Sequence, residues 1–363
     1  MNESLFLKWV KDNLPGVVIR VTSKLNDTKT PLRYRYKTML RPQFSLNGKW
    51  ESISASNYLV AADVVAMDSS LPLKRRDKIS TATGDITKLG IMLKMNESQL
   101  TNLDTLIASG GTKEQIIVEI FKDTPRVIGG MYERLELMFL RGLSSGVTLV
   151  EDTENVGTGV RVDYGYLAEN KFGVSKVWSD TTSTPLADIE NTVGKKAAED
   201  GNSPSVVMLD KATMQNILKT DEAKATLGWA QGWNGDKSLI PVPTVDQFNQ
   251  AVSAKYGFVF DVVDRAVKIE KDGKKKTIRP WQAGSVIFLQ NEIVGDLQWA
   301  SLAEAKRPVA GVVYQTVDQY MLVSKYSTNT PSLAEFTTAQ GRVVPVISNV
   351  DEIYMIDSTT VQA

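Results

Sequence analysis

Two groups of carboxylates are the first residues whose spacing could do chemistry. Asp261 and Asp264 stand three apart, and Glu151, Asp152 and Glu154 crowd one polar stretch. Paired acids can share a proton or hold a hard cation through oxygen ligands. The chain has 42 acidic residues in 363, so close pairs arise from composition alone, and surface charge is the simpler reading of both. Asp163-Tyr164-Gly165 has the outline of a kinase magnesium triplet, but no glycine-rich loop or H-R-D accompanies it. Gly157-x-Gly159 lacks the third glycine of a dinucleotide fingerprint, and no G-x-x-x-x-G-K-[ST] phosphate loop occurs. The chain contains neither histidine nor cysteine. That removes the commonest general base, thiolate nucleophiles, disulfides and the usual zinc ligands. The expectation is a protein that is not an enzyme and has no cofactor and no metal.

A second group is basic. Lys74, Arg75, Arg76, Lys78, Lys88 and Lys94 face only Asp77 and Asp85 in the same stretch. Such a run can be a solvated surface, a nucleic-acid contact or a contact with acidic patches on a neighbouring subunit. No aromatic residue interleaves with it, which argues against stacking on single-stranded bases. Basic and acidic residues balance overall, 42 against 42, whereas a protein built to grip nucleic acid carries a basic excess. The first residues do not read as a secretory signal. No run approaches the roughly 20 apolar residues of a membrane helix. Hydrophobic residues make up 42 % and charged residues 23 %, an ordinary globular balance with enough apolar material for a core. A soluble, cytoplasmically made protein is expected.

The elements that must position these groups can be read from periodicity. Leu5, Phe6, Trp9 and Val10 predict a short helix ending at Pro15-Gly16, followed by polar sequence that reads equally as an extended arm or as a loosely packed N-terminal subdomain. Leu89, Ile91, Leu93 and Met95 alternate with Lys88, Gly90, Met92 and Lys94, a strand pattern. Leu73 to Thr81 is expected to pair with it across a turn at Gly84-Asp85. Ile116, Ile117, Ile120 and Phe121 fit one helical face. Val127, Ile128, Met131, Leu135, Met138 and Phe139 predict a long helix from Pro125 to Arg141, with Thr124 as cap and Gly142 as terminator. Strands are expected at 146–150 and 160–164. From Pro185 onward helices alternate with strands 205–210, 258–263 and 285–289, an α/β pattern. A charged hairpin turns at Asp272-Gly273, and the tail from Val343 to Ile356 is β-rich.

The order of these parts resembles the major capsid proteins of tailed bacteriophages, the Hong Kong ninety-seven type, closest to the lambda-like major capsid protein E group. Four segments carry the resemblance. Ser70-Leu-Pro-Leu-Lys-Arg-Arg-Asp-Lys-Ile79 with Gly84-Asp-Ile-Thr-Lys-Leu-Gly90 looks like the entry and return of an extended loop. Tyr132 to Gly146 looks like a spine helix running into a strand. Val162-Asp-Tyr-Gly165, Trp178-Ser-Asp180 and Pro185-Leu-Ala-Asp-Ile189 look like the passage into an axial domain. Val343 to Tyr354 looks like the closing segment.

The resemblance implies an α+β fold: an N-terminal arm over 1–59, an extended loop over 60–98, a peripheral domain with the spine helix over 99–184, an α/β axial domain over 185–339, and a return to the peripheral domain over 340–363. It implies a shell subunit that self-assembles into the icosahedral head around a double-stranded DNA genome. Partners would be many copies of the chain in hexamers and pentamers, with portal, scaffold or decoration proteins, packaged DNA nearby, and no membrane. The protein would be found in the virion after assembly in the host cytoplasm. Lys74, Arg75, Arg76, Lys78, Gly84, Asp85 and Lys88 would make the loop contact, with Glu133, Glu136, Glu151, Asp152 and Glu154 as acidic counterparts. Two other readings remain: a protein nanocompartment shell of the same fold, and an α/β enzyme or small-ligand binder centred on 185–335.

Overall fold

The computed structural model describes residues 2–25, 34–54, 80–151, 154, 159–235 and 240–362. The chain forms two compact units. The first comprises Met1–Trp50, Thr83–Phe139 and Asp296–Val346; the second comprises Glu51–Ala82, Leu140–Gly295 and Ile347–Ala363.

The first unit is organised by one long strand, Ala334–Ile347. It pairs antiparallel with Met321–Thr328 on one side and with Lys88–Met95 over eight residue pairs, from Glu335 opposite Met95 to Arg342 opposite Lys88. Gly295–Ala300, Leu40–Phe44 and Val313–Val317 complete a six-stranded sheet. The strand expected at 88–95 is therefore present, and its residues alternate between half-buried and exposed. Of the segment expected to pair with it, residues 73–79 lie outside the described residues. Ser80–Asp85 pairs instead with Lys49–Ser54, so Gly84-Asp85 is no hairpin turn. Gly84 is needed for a different reason: a Cβ there would lie 2.6 Å from the Trp50 indole nitrogen. Residues 296–339, which the resemblance placed in the α/β axial domain, fall in this unit.

Helices cover the sheet. The first, Leu7–Leu25, continues through Pro15, where the sequence suggested a stop. Val10, Leu14 and Val18 are all buried and recur every four residues. Packing of that stripe outweighs the backbone hydrogen bond that proline cannot donate. The stretch expected to be an extended arm is thus folded on its own unit over its described residues. Glu97–Ala108 and Lys113–Ile120 each begin with a capping box, Asn96 with Gln99 and Thr112 with Gln115.

The long helix runs from Thr124 to Ser145, one turn beyond the predicted end. Val127, Ile128, Met131, Leu135, Met138 and Phe139 are all buried, as their spacing required. The helix stops at Gly146, whose φ of +79° is the left-handed conformation of a C-terminal cap. Gly142 lies inside it. A Cβ on Gly142 would come within 2.5 Å of the Thr148 hydroxyl and 2.6 Å of the Tyr164 ring, two groups hydrogen-bonded to each other. Gly142→Ala is therefore expected to destabilise the protein by about 1–3 kcal/mol through overpacking, seen as a lower urea midpoint.

The second unit holds a five-stranded sheet in the order Lys171–Val174, Ile353–Val361, Ser285–Leu289, Val206–Asp210, Val259–Val263. The outer pairs are parallel and the inner two antiparallel. Its central strands are buried on both faces: Val207, Met208 and Leu209 are fully covered, and so is every residue of Ser285–Leu289. A continuous apolar run is what a strand buried on both faces needs. The covering helices include a nearly continuous one from Pro185 to Asp200, with a π-helical turn at Glu190–Gly194. Lys211–Lys219, Asp221–Ala230 and Val245–Tyr256 follow. Two ribbons stand apart from the sheet, Val147–Val150 with Val160–Asp163 and Val267–Lys271 with Lys274–Ile278. The second turns at Asp272 and Gly273, both with positive φ, as expected of an Asp-Gly hairpin.

Candidate functional site

Two of the carboxylates with catalytic spacing, Asp264 and Glu154, hold cations of their own chain. Asp264 is exposed and bonded to Lys211 at 2.8 Å, and that bond holds its carboxyl below the usual range. Asp210 caps the helix that follows it, accepting the N–H groups of Ala212 and Thr213, and also that of Gly284. Glu154 takes Arg141 in a two-pronged pair at 2.6 and 3.0 Å. The same guanidinium donates to the Leu149 carbonyl at 2.6 Å, tying Glu154 to the end of the 147–150 strand. Among the described residues no three potential metal ligands cluster, and no helix is long and apolar enough to cross a membrane.

What the structure builds instead is the root of the segment 55–79. Strands Lys49–Ser54 and Ser80–Asp85 bracket that segment. Trp50 is buried and packs against Gly84. Arg342 reaches in from the long strand and donates to the Gly48 carbonyl at 3.2 Å and the Ile86 carbonyl at 3.4 Å. The Ile86 N–H also donates to the Gly48 carbonyl. Gly48 has φ +71°, and a Cβ there would lie 2.6 Å from the guanidinium. A charged fork between two carbonyls and an indole against a glycine fix both ends of the segment. Gly84, Asp85 and Lys88 sit at this root. Lys74, Arg75, Arg76 and Lys78 lie outside the described residues, as does Asp152.

Sequence reading missed Arg342, Trp50 and Gly48. Asn47-Gly48 is a visible turn signal. Nothing local marks Arg342, because its partners are 256 and 294 residues away.

Three of the remaining expected acidic counterparts, Glu133, Glu136 and Glu154, have partners within the chain. Glu136 is 1 % exposed. One of its oxygens accepts the Arg35 N–H at 3.1 Å and the other the Tyr36 N–H at 3.2 Å. Glu133 accepts the Tyr34 hydroxyl at 3.0 Å. These two acids tie residues 34–39 to the long helix. Glu154, buried with Arg141, is likewise not an open acceptor. Of the set, Glu151 is exposed.

Around them lies a tyrosine cluster. Tyr34, Tyr36 and Tyr132 meet at ring distances of 5.4 to 6.4 Å. Tyr132 donates to Asp318 at 2.6 Å, and Lys37 pairs with the same carboxylate at 2.7 Å. Tyr36 and Tyr320 share a hydrogen bond at 3.2 Å. Burial pushes the hydroxyls of Tyr36, Tyr132 and Tyr320 above their ordinary range, and the Asp318 charge adds to this. Burial lowers Lys37, partly offset by its bond to Asp318.

A long helix with a six-stranded sheet in one unit and an α/β sheet in the other make up a fold that the chain shares with solved phage-related proteins. The chain superposes on the crystal structure of a protein assigned as a prophage capsid protein from E. coli CFT073, with a TM-score of 0.55 and 12 % identity, covering 94 % of this chain and 98 % of that one. A phage-related protein from Bordetella bronchiseptica RB50 matches with a TM-score of 0.51 and 11 % identity, over 95 % of this chain and 97 % of that one. No family model and no curated sequence matches the chain. The α+β fold expected from the resemblance is thus the observed one.

Proposed function

We propose that this chain is the major capsid protein of a tailed phage, which self-assembles into the icosahedral head shell around double-stranded DNA. The observation that carries the reading is the end-to-end likeness to a protein assigned as a prophage capsid protein, over nearly all of both chains. The clamped root supports it. A fold that needs the 55–79 segment only for itself has no evident use for an arginine, a tryptophan and two glycines fixing where that segment leaves.

The role is structural, not catalytic, and the partners are further copies in hexamers and pentamers, joined by portal and by scaffold or decoration proteins. The loop 60–98 reaches an adjacent subunit, and assembly takes place in the host cytoplasm before the protein resides in the virion. Weak contacts repeated over many copies hold such a shell, and heterologous contacts around rings close it. Overall neutrality suits a container through which DNA must enter and leave.

Expression of the full chain followed by size exclusion and negative-stain microscopy tests this. Closed megadalton particles are expected; a small stable oligomer rules the reading out. The double variant R75E/R76E is expected to abolish particles while the monomer's melting temperature stays unchanged. Normal shells from that variant count against the loop contact.

A further inference from the structure

With Glu133, Glu136 and Glu154 occupied inside the chain, the basic loop needs another acceptor, and one surface of the first unit has the matching chemistry. Helices Glu97–Ala108 and Lys113–Ile120 form an antiparallel pair joined at Gly110-Gly111. Gly110 has φ +78°, and a Cβ on Gly111 would lie 2.9 Å from the Leu106 side chain. The pair secures itself through Leu100, Leu103, Ile116 and Ile120, all buried. Its outer side leaves apolar groups in water: Val118 is 64 % exposed and Ile107 38 %. Leu106, Glu114, Gln115, Val118 and Glu119 line a groove of about 410 Å³ there. Its floor is apolar and its rim carries two carboxylates. Glu114 has no cation within ion-pair distance among the described residues, and Glu119 holds only the exposed Lys122 at 3.3 Å, a weak and exchangeable pair.

We propose that this groove receives the segment Leu71–Lys78 of a second copy of the chain. The inference rests on the capsid reading above and names the partner surface of its loop. The segment reads Leu71-Pro72-Leu73-Lys74-Arg75-Arg76-Asp77-Lys78: two leucines around a proline, then four cations in five residues. In an extended chain, residues two apart face the same side, and a residue before proline favours that conformation. Leu71 and Leu73 therefore enter the apolar floor together, and the arginines that follow meet Glu114 and Glu119. Apolar floor to leucines and acidic rim to arginines is complementary in both terms, which none of the internally paired acids offers.

The absence of native cysteine makes the test clean. In the variant L73C/V118C, assembled shells are oxidised, or treated with a short bis-maleimide that tolerates imperfect disulfide geometry. A ladder of covalent multimers on a non-reducing gel is expected. Only intrachain-linked monomer, or unlinked monomer with both reagents, overturns the proposal. Independently, E114R/E119R is expected to lower shell yield about tenfold or more through like-charge contact, with the monomer's melting temperature kept, and combining it with R75E/R76E restores shells. Wild-type yield from E114R/E119R, or no restoration in the combination, overturns the pairing. Both outcomes are read against wild-type shells, so failure of the wild-type chain to assemble is a separate result and strikes the capsid reading itself.

Discussion

Glu136→Gln is expected to cost about 3 kcal/mol or more, close to the loss from Glu136→Ala, although glutamine keeps the shape of the side chain. The two carboxylate oxygens each accept a different backbone N–H, from Arg35 and from Tyr36. A glutamine offers one oxygen and one NH2, so one of those N–H groups then faces a donor. At 1 % exposure no water reaches in to replace the lost acceptor, and the full desolvation penalty of the orphaned group remains. The effect spreads, because residues 34–39 also carry Tyr34 to Glu133, Lys37 to Asp318 and Tyr36 to Tyr320. Urea titration should show the lower midpoint. Limited trypsin digestion should show new cleavage after Arg35 and Lys37, the bonds the carboxylate now protects. A variant with native protease resistance and an unchanged midpoint would show that Glu136 is not what holds the segment.

That carboxylate also shows where sequence reading stops. The long helix was legible because Val127 to Phe139 repeats every three or four residues, and one buried face is enough to produce that pattern. The core strand 206–210 and the Asp272-Gly273 hairpin were legible for the same local reason. Glu136 sits on the same helix, and nothing in its neighbours says that two N–H groups a hundred residues earlier will claim it. Strand 88–95 carried a true period-two signal, but its partner begins 240 residues later, at a position that alternation does not encode. Pro15 misled because a breaker rule weighs one residue, while Val10, Leu14 and Val18 act as a stripe. Helix Asp221–Ala230 went unread although Thr220 caps it, because its apolar residues are few and two of its positions are alanine and glycine where a longer side chain would have marked the buried face. At the candidate site, the basic run was visible as composition, whereas the clamp by Arg342 exists only in three dimensions.

Stability should rise between about pH 8 and 10 and fall again above that, and Lys325 causes most of the rise, with a smaller share from Lys37. Its ammonium is buried and donates to the Ile120 carbonyl at 2.9 Å and the Thr337 hydroxyl at 2.6 Å. Burial nonetheless holds it down at about 8, against an ordinary 10.5, with Glu335 only partly offsetting the loss of water. Between those two values the unfolded chain binds more protons than the folded one, so stability increases with pH. The cost of burying the charge, roughly 3 kcal/mol, is present in full below pH 8 and has faded by pH 10.5. The tyrosines act in the opposite sense. Tyr36, Tyr132 and Tyr320 are raised above 10.0 by burial, so above pH 10 the unfolded chain loses its phenolic protons first and the native state loses ground. Urea midpoints of the unassembled protein at pH 7, 9.5 and 11 should therefore pass through a maximum. Lys325→Met removes the titrating group while filling a similar volume. It should flatten the limb between pH 8 and 10 and leave the decline above pH 10 in place. A variant that keeps the rise would show that another group causes it.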